Sequence, residues 1–155
     1  MPNYSDANFT MRLSYGQVKE FMLGGKPSGY YTTAASIVEK MNMADQNVEY
    51  FAEPIMKELM SSKDFGKYSD KETGTLQLCF LSNNDITGGN SGSPMFNGKS
   101  ELIGLAFDGN WDSLSSDLLF DSQLARCIGV DIRFVLYMMD KWGHADRLLE
   151  EINAK

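Results

Sequence analysis

Midway along the chain, Thr87-Gly88-Gly89-Asn90-Ser91-Gly92-Ser93-Pro94 lies between two stretches that read as β-structure. Before it, Leu76, Leu78 and Phe80 alternate with polar residues, the period-two pattern of a strand with one buried face, so residues 75–81 are expected as a strand. After it, Met95-Phe96 reads as a brief strand, Asn97-Gly98-Lys99-Ser100 as a hairpin turn, and Glu101-Leu102-Ile103-Gly104-Leu105-Ala106-Phe107 as the returning strand. Strand, glycine-rich loop and hairpin in succession constrain the middle of the chain to β-structure.

The flanks add helices. Phe9, Met11, Leu13 and Tyr15 alternate with polar residues and predict a first strand ending near Gly16. Gly24-Gly25-Lys26-Pro27-Ser28-Gly29 breaks the chain before an arm running through Tyr30-Tyr31 into Thr32-Thr33. Thr33 is placed to cap a short helix over residues 34–41. Pro54 suits the first turn of a second helix whose apolar side carries Ile55, Met56, Leu59 and Met60. Residues 61–74 read as loop, and residues 108–122 as a surface excursion carrying Trp111. From Val130, the spacing of Ile132, Val135, Leu136, Met139 and Trp142 predicts a helix capped by Gly143, with a last short helix over residues 145–152.

With 155 residues and 43% hydrophobic content, the chain suits one globular domain, residues 1–155, that buries roughly two-thirds of its unfolded surface. A net charge of -7 argues against nucleic acid and anionic membranes as partners, and Lys57, Lys63, Lys67 and Lys71 are scattered singles rather than a binding stripe. Cys79 and Cys127 fall short of a disulfide scaffold or a metal site, and pair only if the fold brings their Cα atoms within about 7 Å. No metal and no cofactor is expected. No window approaches a membrane span of about 18 apolar residues, and the first residues lack the regions of a signal peptide.

The central loop has the composition that acyl-transfer chemistry needs. A serine nucleophile works from a tight turn whose backbone N–H groups point at the developing oxyanion. Gly88 and Gly89 can take dihedrals closed to other residues, letting the N–H groups of Gly89 and Ser91 converge, and Gly92 keeps space beside the hydroxyl. Composition alone leaves an ordinary Gly/Asn/Ser turn equally open.

Gly88-Gly89-Asn90-Ser91-Gly92-Ser93-Pro94 is similar to the nucleophile loops of trypsin-fold serine peptidases, in which the serine between Asn or Asp and Gly attacks. The likeness extends through Arg12-Leu13-Ser14-Tyr15-Gly16, Tyr30-Tyr31-Thr32-Thr33, Lys63-Asp64-Phe65-Gly66, Asn83-Asn84-Asp85, Gly104-Leu105-Ala106-Phe107-Asp108-Gly109-Asn110-Trp111 and Val130-Asp131-Ile132-Arg133-Phe134-Val135-Leu136. In that order, these stretches resemble landmarks of the bacterial dipeptidyl peptidase 7 and 11 family. The resemblance implies a mainly β fold with α elements: the C-terminal half of a chymotrypsin-like double β-barrel, with short inserted helices and a C-terminal helix. It implies a serine-type dipeptidyl aminopeptidase that releases dipeptides from peptide N-termini through an acyl-enzyme at Ser91, with the N–H groups of Gly89 and Ser91 as oxyanion hole. Asp108 would receive the free α-ammonium of the peptide substrate. Gly109 stands where the branch that cuts after Asp or Glu carries arginine, which implies a hydrophobic residue on the acyl side of the cut (P1). Relatives act outside the cytoplasm, which implies a periplasmic or cell-surface location.

Two features stand outside that pattern. Asp85, six residues before Ser91, has the spacing of a trypsin-type pocket floor, although a turn-stabilising aspartate explains it as well. His144, the only histidine, follows Ser91, whereas the base in this chemistry precedes the serine, so it reads as a surface or helix-end residue. The expectation is a chain without the N-terminal barrel and helical domain, inactive alone, whose partners are a peptide substrate and the missing half, and whose uncovered face favours homodimers. The alternative is a non-catalytic peptide-binding remnant, a pseudo-peptidase without the His and Asp of the triad.

Overall fold

Phe80 packs its ring against two strands at positions where neither has a side chain. A Cβ on Gly104 or on Gly129 would come within 2.7 Å of that ring, so both positions stay bare for it. The computed structural model that shows this describes residues 10–45 and 48–153. In chain order the elements are β1 (Met22–Leu23), β2 (Lys26–Pro27), β3 (Tyr31–Thr33), α1 (Ala34–Met41), α2 (Pro54–Ser61), β4 (Gln77–Ser82), β5 (Pro94–Phe96), β6 (Leu102–Gly109), β7 (Cys127–Asp131), α3 (Ile132–Lys141) and α4 (Asp146–Glu151). They fall into two compact units, Met1–Tyr31 with Cys79–Asp131, and Thr32–Leu78 with Ile132–Lys155.

The first unit is organised by a five-stranded sheet of order β3-β4-β7-β6-β5, antiparallel at the β4–β7, β7–β6 and β6–β5 ladders. Strands β3 and β5 are its edges, so the half-barrel expected by resemblance is, in the described residues, an open sheet. A barrel closes only when first and last strands pair, and no such ladder is present among the described residues. Its centre is β7, which sequence reading assigned partly to the following helix. Cys127, Gly129 and Asp131 are buried there, and the helix begins only at Ile132. Strand β6 runs two residues further than expected and takes Asp108 and Gly109 into the ladder opposite Ile128 and Cys127. Cys79 and Cys127 form no disulfide; they sit opposite Val130 and Ser82 in the β4–β7 ladder, not opposite each other. Burial pushes the Cys127 thiol above its ordinary pKa.

The expected first strand is not one. Phe9 lies outside the described residues, and Met11, Leu13 and Tyr15 are 100%, 90% and 88% exposed, so the alternation buries nothing. That stretch is tied to the sheet further along, through a Val18–Ser82 bridge and Lys19 N–H donating to the Leu81 carbonyl at 3.0 Å.

The second unit holds the helices. Ser36 reaches back from the first turn of α1, accepting from Thr33 N–H at 3.3 Å and donating to the Thr33 carbonyl at 2.7 Å. Pro54 opens α2 as expected, and that helix continues through Ser61. The core gathers Met60, Phe65, Tyr68, Leu76, Tyr137 and Leu149, each at most 4% exposed. Tyr137 stands edge-on to Phe65 and Tyr68 at centroid distances of 5.7 and 5.9 Å. Its hydroxyl donates to the Leu59 carbonyl at 3.2 Å, while the Tyr68 hydroxyl donates to Asp140 Oδ2 at 3.0 Å. Gly143 is not the left-handed residue after α3; His144 is, at φ 46°, a conformation that histidine reaches more readily than most residues. Among the described residues no helix is long and apolar enough to cross a membrane.

Candidate active site

The loop after β4 is held before it reaches the serine. Asn83 Oδ1 accepts from Gln17 N–H at 2.6 Å, the Asn83 N–H returns to the Gln17 carbonyl at 3.0 Å, and Ser14 Oγ donates to the Asp85 carbonyl at 2.7 Å. Gly16 lies against this seam, where a Cβ would come within 2.7 Å of Asn83 Oδ1 and 2.8 Å of the Asn84 amide. The next turn is closed by Asn90, whose Oδ1 accepts from Thr87 N–H at 3.0 Å while its own N–H donates to the Thr87 carbonyl at 3.1 Å. Gly89 at φ 101° and Gly92 at φ 85° take the backbone conformations that favour glycine. The expectation that Gly88 does so too fails: its φ is not positive.

Ser91 emerges from this turn exposed. The chain then docks on β6, with Gly92 N–H donating to the Ala106 carbonyl at 2.7 Å and Ala106 N–H to the Ser93 carbonyl at 2.9 Å. Among the described residues, the N–H groups of Gly89 and Ser91 donate to no backbone carbonyl. Ser91 Oγ donates to the Phe107 carbonyl at 3.1 Å. That carbonyl is available because Phe107 is the extra residue of a bulge: Ala106 faces Gly129 and Asp108 faces Ile128, leaving Phe107 without a ladder partner.

Behind the bulge, Asp108 Oδ1 accepts from Gly109 N–H at 2.8 Å, and the carboxylate is exposed. Asn110 then anchors the strand end: its N–H donates to the Arg126 carbonyl at 2.9 Å, its Oδ1 accepts from Arg126 N–H at 2.8 Å, and its Nδ2 donates to the Leu124 carbonyl at 2.9 Å. Arg126 is itself buried, its guanidinium satisfied by the carbonyls of Glu20, Ser122, Gln123 and Ala125 at 2.7 to 3.2 Å. Burial lowers its pKa from the usual value.

Ser91, Asp108 and Gly109, singled out separately in the sequence, thus line one cavity of about 180 Å³, together with Gly88, Ser113 and Leu114. Asp85 is not in its lining, whereas its neighbour Ile86 is. Sequence reasoning missed Ser113, which a 3-10 turn over Trp111–Asp117 carries back beside Gly109, and it missed the bulged carbonyl of Phe107. Neither has a local sequence signal. His144 lies in the other unit, exposed at the α3–α4 junction. The Phe107 carbonyl to which the Ser91 hydroxyl donates can accept a hydrogen bond but cannot take up the proton. Among the described residues no group of His, Cys, Asp and Glu is placed to hold a metal ion.

Comparison with known proteins extends this geometry. The Peptidase S46 family model matches residues 1–154. The "Dipeptidyl-peptidase 7" of Porphyromonas endodontalis is 52% identical over 150 residues, covering 96% of this chain and 18% of that protein. The "Asp/Glu-specific dipeptidyl-peptidase" of Porphyromonas gingivalis is 41% identical over 153 residues, covering 97% of this chain and 21% of that protein. The crystal structure of Porphyromonas endodontalis DPP11 in complex with the dipeptide Arg-Glu superposes with a TM-score of 0.87 at 35% identity, over 97% of this chain and 21% of that one. The chain therefore spans about a fifth of the length of the curated relatives it matches.

Proposed function

The chain belongs to the peptidase S46 family, and from that premise we propose that it is the nucleophile-bearing part of a serine-type dipeptidyl aminopeptidase. The observation that carries the reading is the exposed Ser91 hydroxyl at the wall of a cavity it shares with Asp108 and Gly109. Ser91 attacks the carbonyl carbon of a peptide's second residue, its proton passing by way of the general base to the departing amine of the third, and the free N–H groups of Gly89 and Ser91 receive the oxyanion. The exposed carboxylate of Asp108, with one oxygen engaged by Gly109 N–H, receives the substrate's α-ammonium, a charge-assisted bond that rejects blocked N-termini. Gly109 puts no cation into the cavity, so an acidic P1 side chain would be buried without a partner, and a hydrophobic one is preferred.

The general base, its orienting carboxylate and the rest of a chymotrypsin-like double barrel come, in this reading, from a further region of the peptidase working outside the cytoplasm. Serine chemistry without a base is slow: the residual advantage over water is about 10³-fold. A fluorophosphonate probe with dipeptidyl substrates tests the reading. The isolated chain is expected to show no measurable dipeptide release, and supplying the histidine-bearing half is expected to bring probe labelling at Ser91 and release after hydrophobic residues. Persistent failure of both in the reconstituted enzyme leaves the peptide-binding remnant; release by the chain alone, lost in His144→Ala, overturns the role given to the other half.

A further inference from the structure

Gly109 is bare for a reason its backbone does not supply. Its φ is not among the positive values, so an L side chain is conformationally allowed there. What forbids one is Ser113. A Cβ built on Gly109 would run into the Ser113 hydroxyl oxygen and lie 3.1 Å from the Ser113 Cβ. That hydroxyl is held in place: Ser113 Oγ donates to the Asn110 carbonyl at 2.6 Å, and Ser113 N–H donates to the same oxygen at 2.9 Å. Asn110 in turn is bonded to Arg126 and Leu124 through both its backbone and its side-chain amide. Swinging Ser113 aside therefore breaks a short hydrogen bond in an anchored turn.

Both residues line the cavity that contains Ser91. We propose that Ser113 is a specificity-determining residue: its anchored hydroxyl and the bare Cα of Gly109 form one wall that limits the size of the substrate side chain entering beside Ser91. The proposal rests on the dipeptidyl peptidase reading for the identity of the ligand, but the packing behind it does not. With an interior of about 180 Å³, the removal of a single side chain from the wall is a large fractional change.

Two measurements on the whole chain, with Gly109→Ala, Ser113→Gly and the double variant, test it. In thermal unfolding, Gly109→Ala is expected to lower Tm by about 4 °C in the native background and by about 1 °C or less once Ser113 is glycine. In NMR titrations with the dipeptides Val-Ala and Val-Phe, Ser113→Gly is expected to raise the affinity for Val-Phe relative to Val-Ala by about tenfold, the range set by methylene-scale differences in a pocket. Equal Tm losses in both backgrounds overturn the proposed wall. Coupled Tm values with an unchanged Val-Phe to Val-Ala ratio overturn the specificity role, since a merely structural serine would leave selectivity alone. Coupled Tm values with no dipeptide binding to any variant overturn it too, and in that case the fault lies with the peptidase reading and not with the packing of Ser113 on Gly109.

Discussion

The serine loop of the first unit and the tyrosine core of the second treat their polar groups in opposite ways. Around Tyr137, the Tyr68 and Tyr137 hydroxyls are donated to Asp140 and to the Leu59 carbonyl, and Arg133 donates to Asp70 Oδ2 at 2.8 Å and to Gln77 Oε1 at 3.0 Å. Around Ser91, a hydroxyl is exposed and two neighbouring N–H groups donate to no described backbone carbonyl, although the loop is pinned on both sides by Asn83, Asn90 and the Gly92–Ala106 pairing. A core gains stability by satisfying its polar groups, whereas a site needs donors kept in place and left open. A fixed backbone with open donors is what the proposed peptidase role asks of this loop, beyond the presence of a serine.

The largest test of that contrast is Ser91→Ala. In the enzyme completed by its base, kcat is expected to fall on the order of 10⁶-fold, while the melting temperature stays within about 1 °C of the native value. A comparable loss of stability would mean that the loop is scaffold. Tyr137→Ala should do the reverse, destabilising by about 4 kcal/mol in urea unfolding through the cavity it leaves beside Phe65 and Tyr68. Tyr137→Phe isolates the hydrogen bonding of the hydroxyl, to the Leu59 carbonyl and with Ser62, and about 1 kcal/mol is expected for it.

The smallest effect is one of shape in a pH profile. Burial, then the hydrogen bond to Asp140 and the charge of that carboxylate, push the Tyr68 hydroxyl from 10.0 up to about 12. The unfolded chain thus releases this proton before the folded one does, so the contribution is fully present below pH 10.0 and is lost as the pH rises towards about 12. Stability measured across that interval should fall less steeply in Tyr68→Phe than in the native chain. Asp70 acts at the other end: the hydrogen bond from Arg133, then those from Thr73, hold its carboxyl well below the usual range, so its contribution is present at neutral pH and lost on strong acidification.

Much of this was legible without coordinates, and for a common reason. Pro54 at the first turn of α2, Thr33 before α1, the Asn97-Gly98 turn and the alternation of β4 are signals carried by residues a few positions apart, whose local conformational preferences act before any tertiary contact forms. The serine loop belongs with them, because Gly89, Asn90 and Gly92 shape their own turn. What the sequence could not announce depends on partners far along the chain. Of strand β7 only the end, from Val130, was read, as the start of a helix; a glycine such as Gly129 weakens a strand read alone, yet the Phe80 ring from β4 demands it. The alternation of Met11, Leu13 and Tyr15 looked like a strand, but a strand of that pattern needs a face to bury, and these three side chains are exposed. The bulge that turns the Phe107 carbonyl towards Ser91 arises from the register of β6 on β7, and Ser113 meets Gly109 only because a 3-10 turn anchored by Asn110 and Arg126 folds back on the strand. Local preferences thus settled which segments turn, cap and extend, while ladder register and side-chain volume, set by residues up to about a hundred positions apart such as Glu20 and Arg126, decided which of them share a wall.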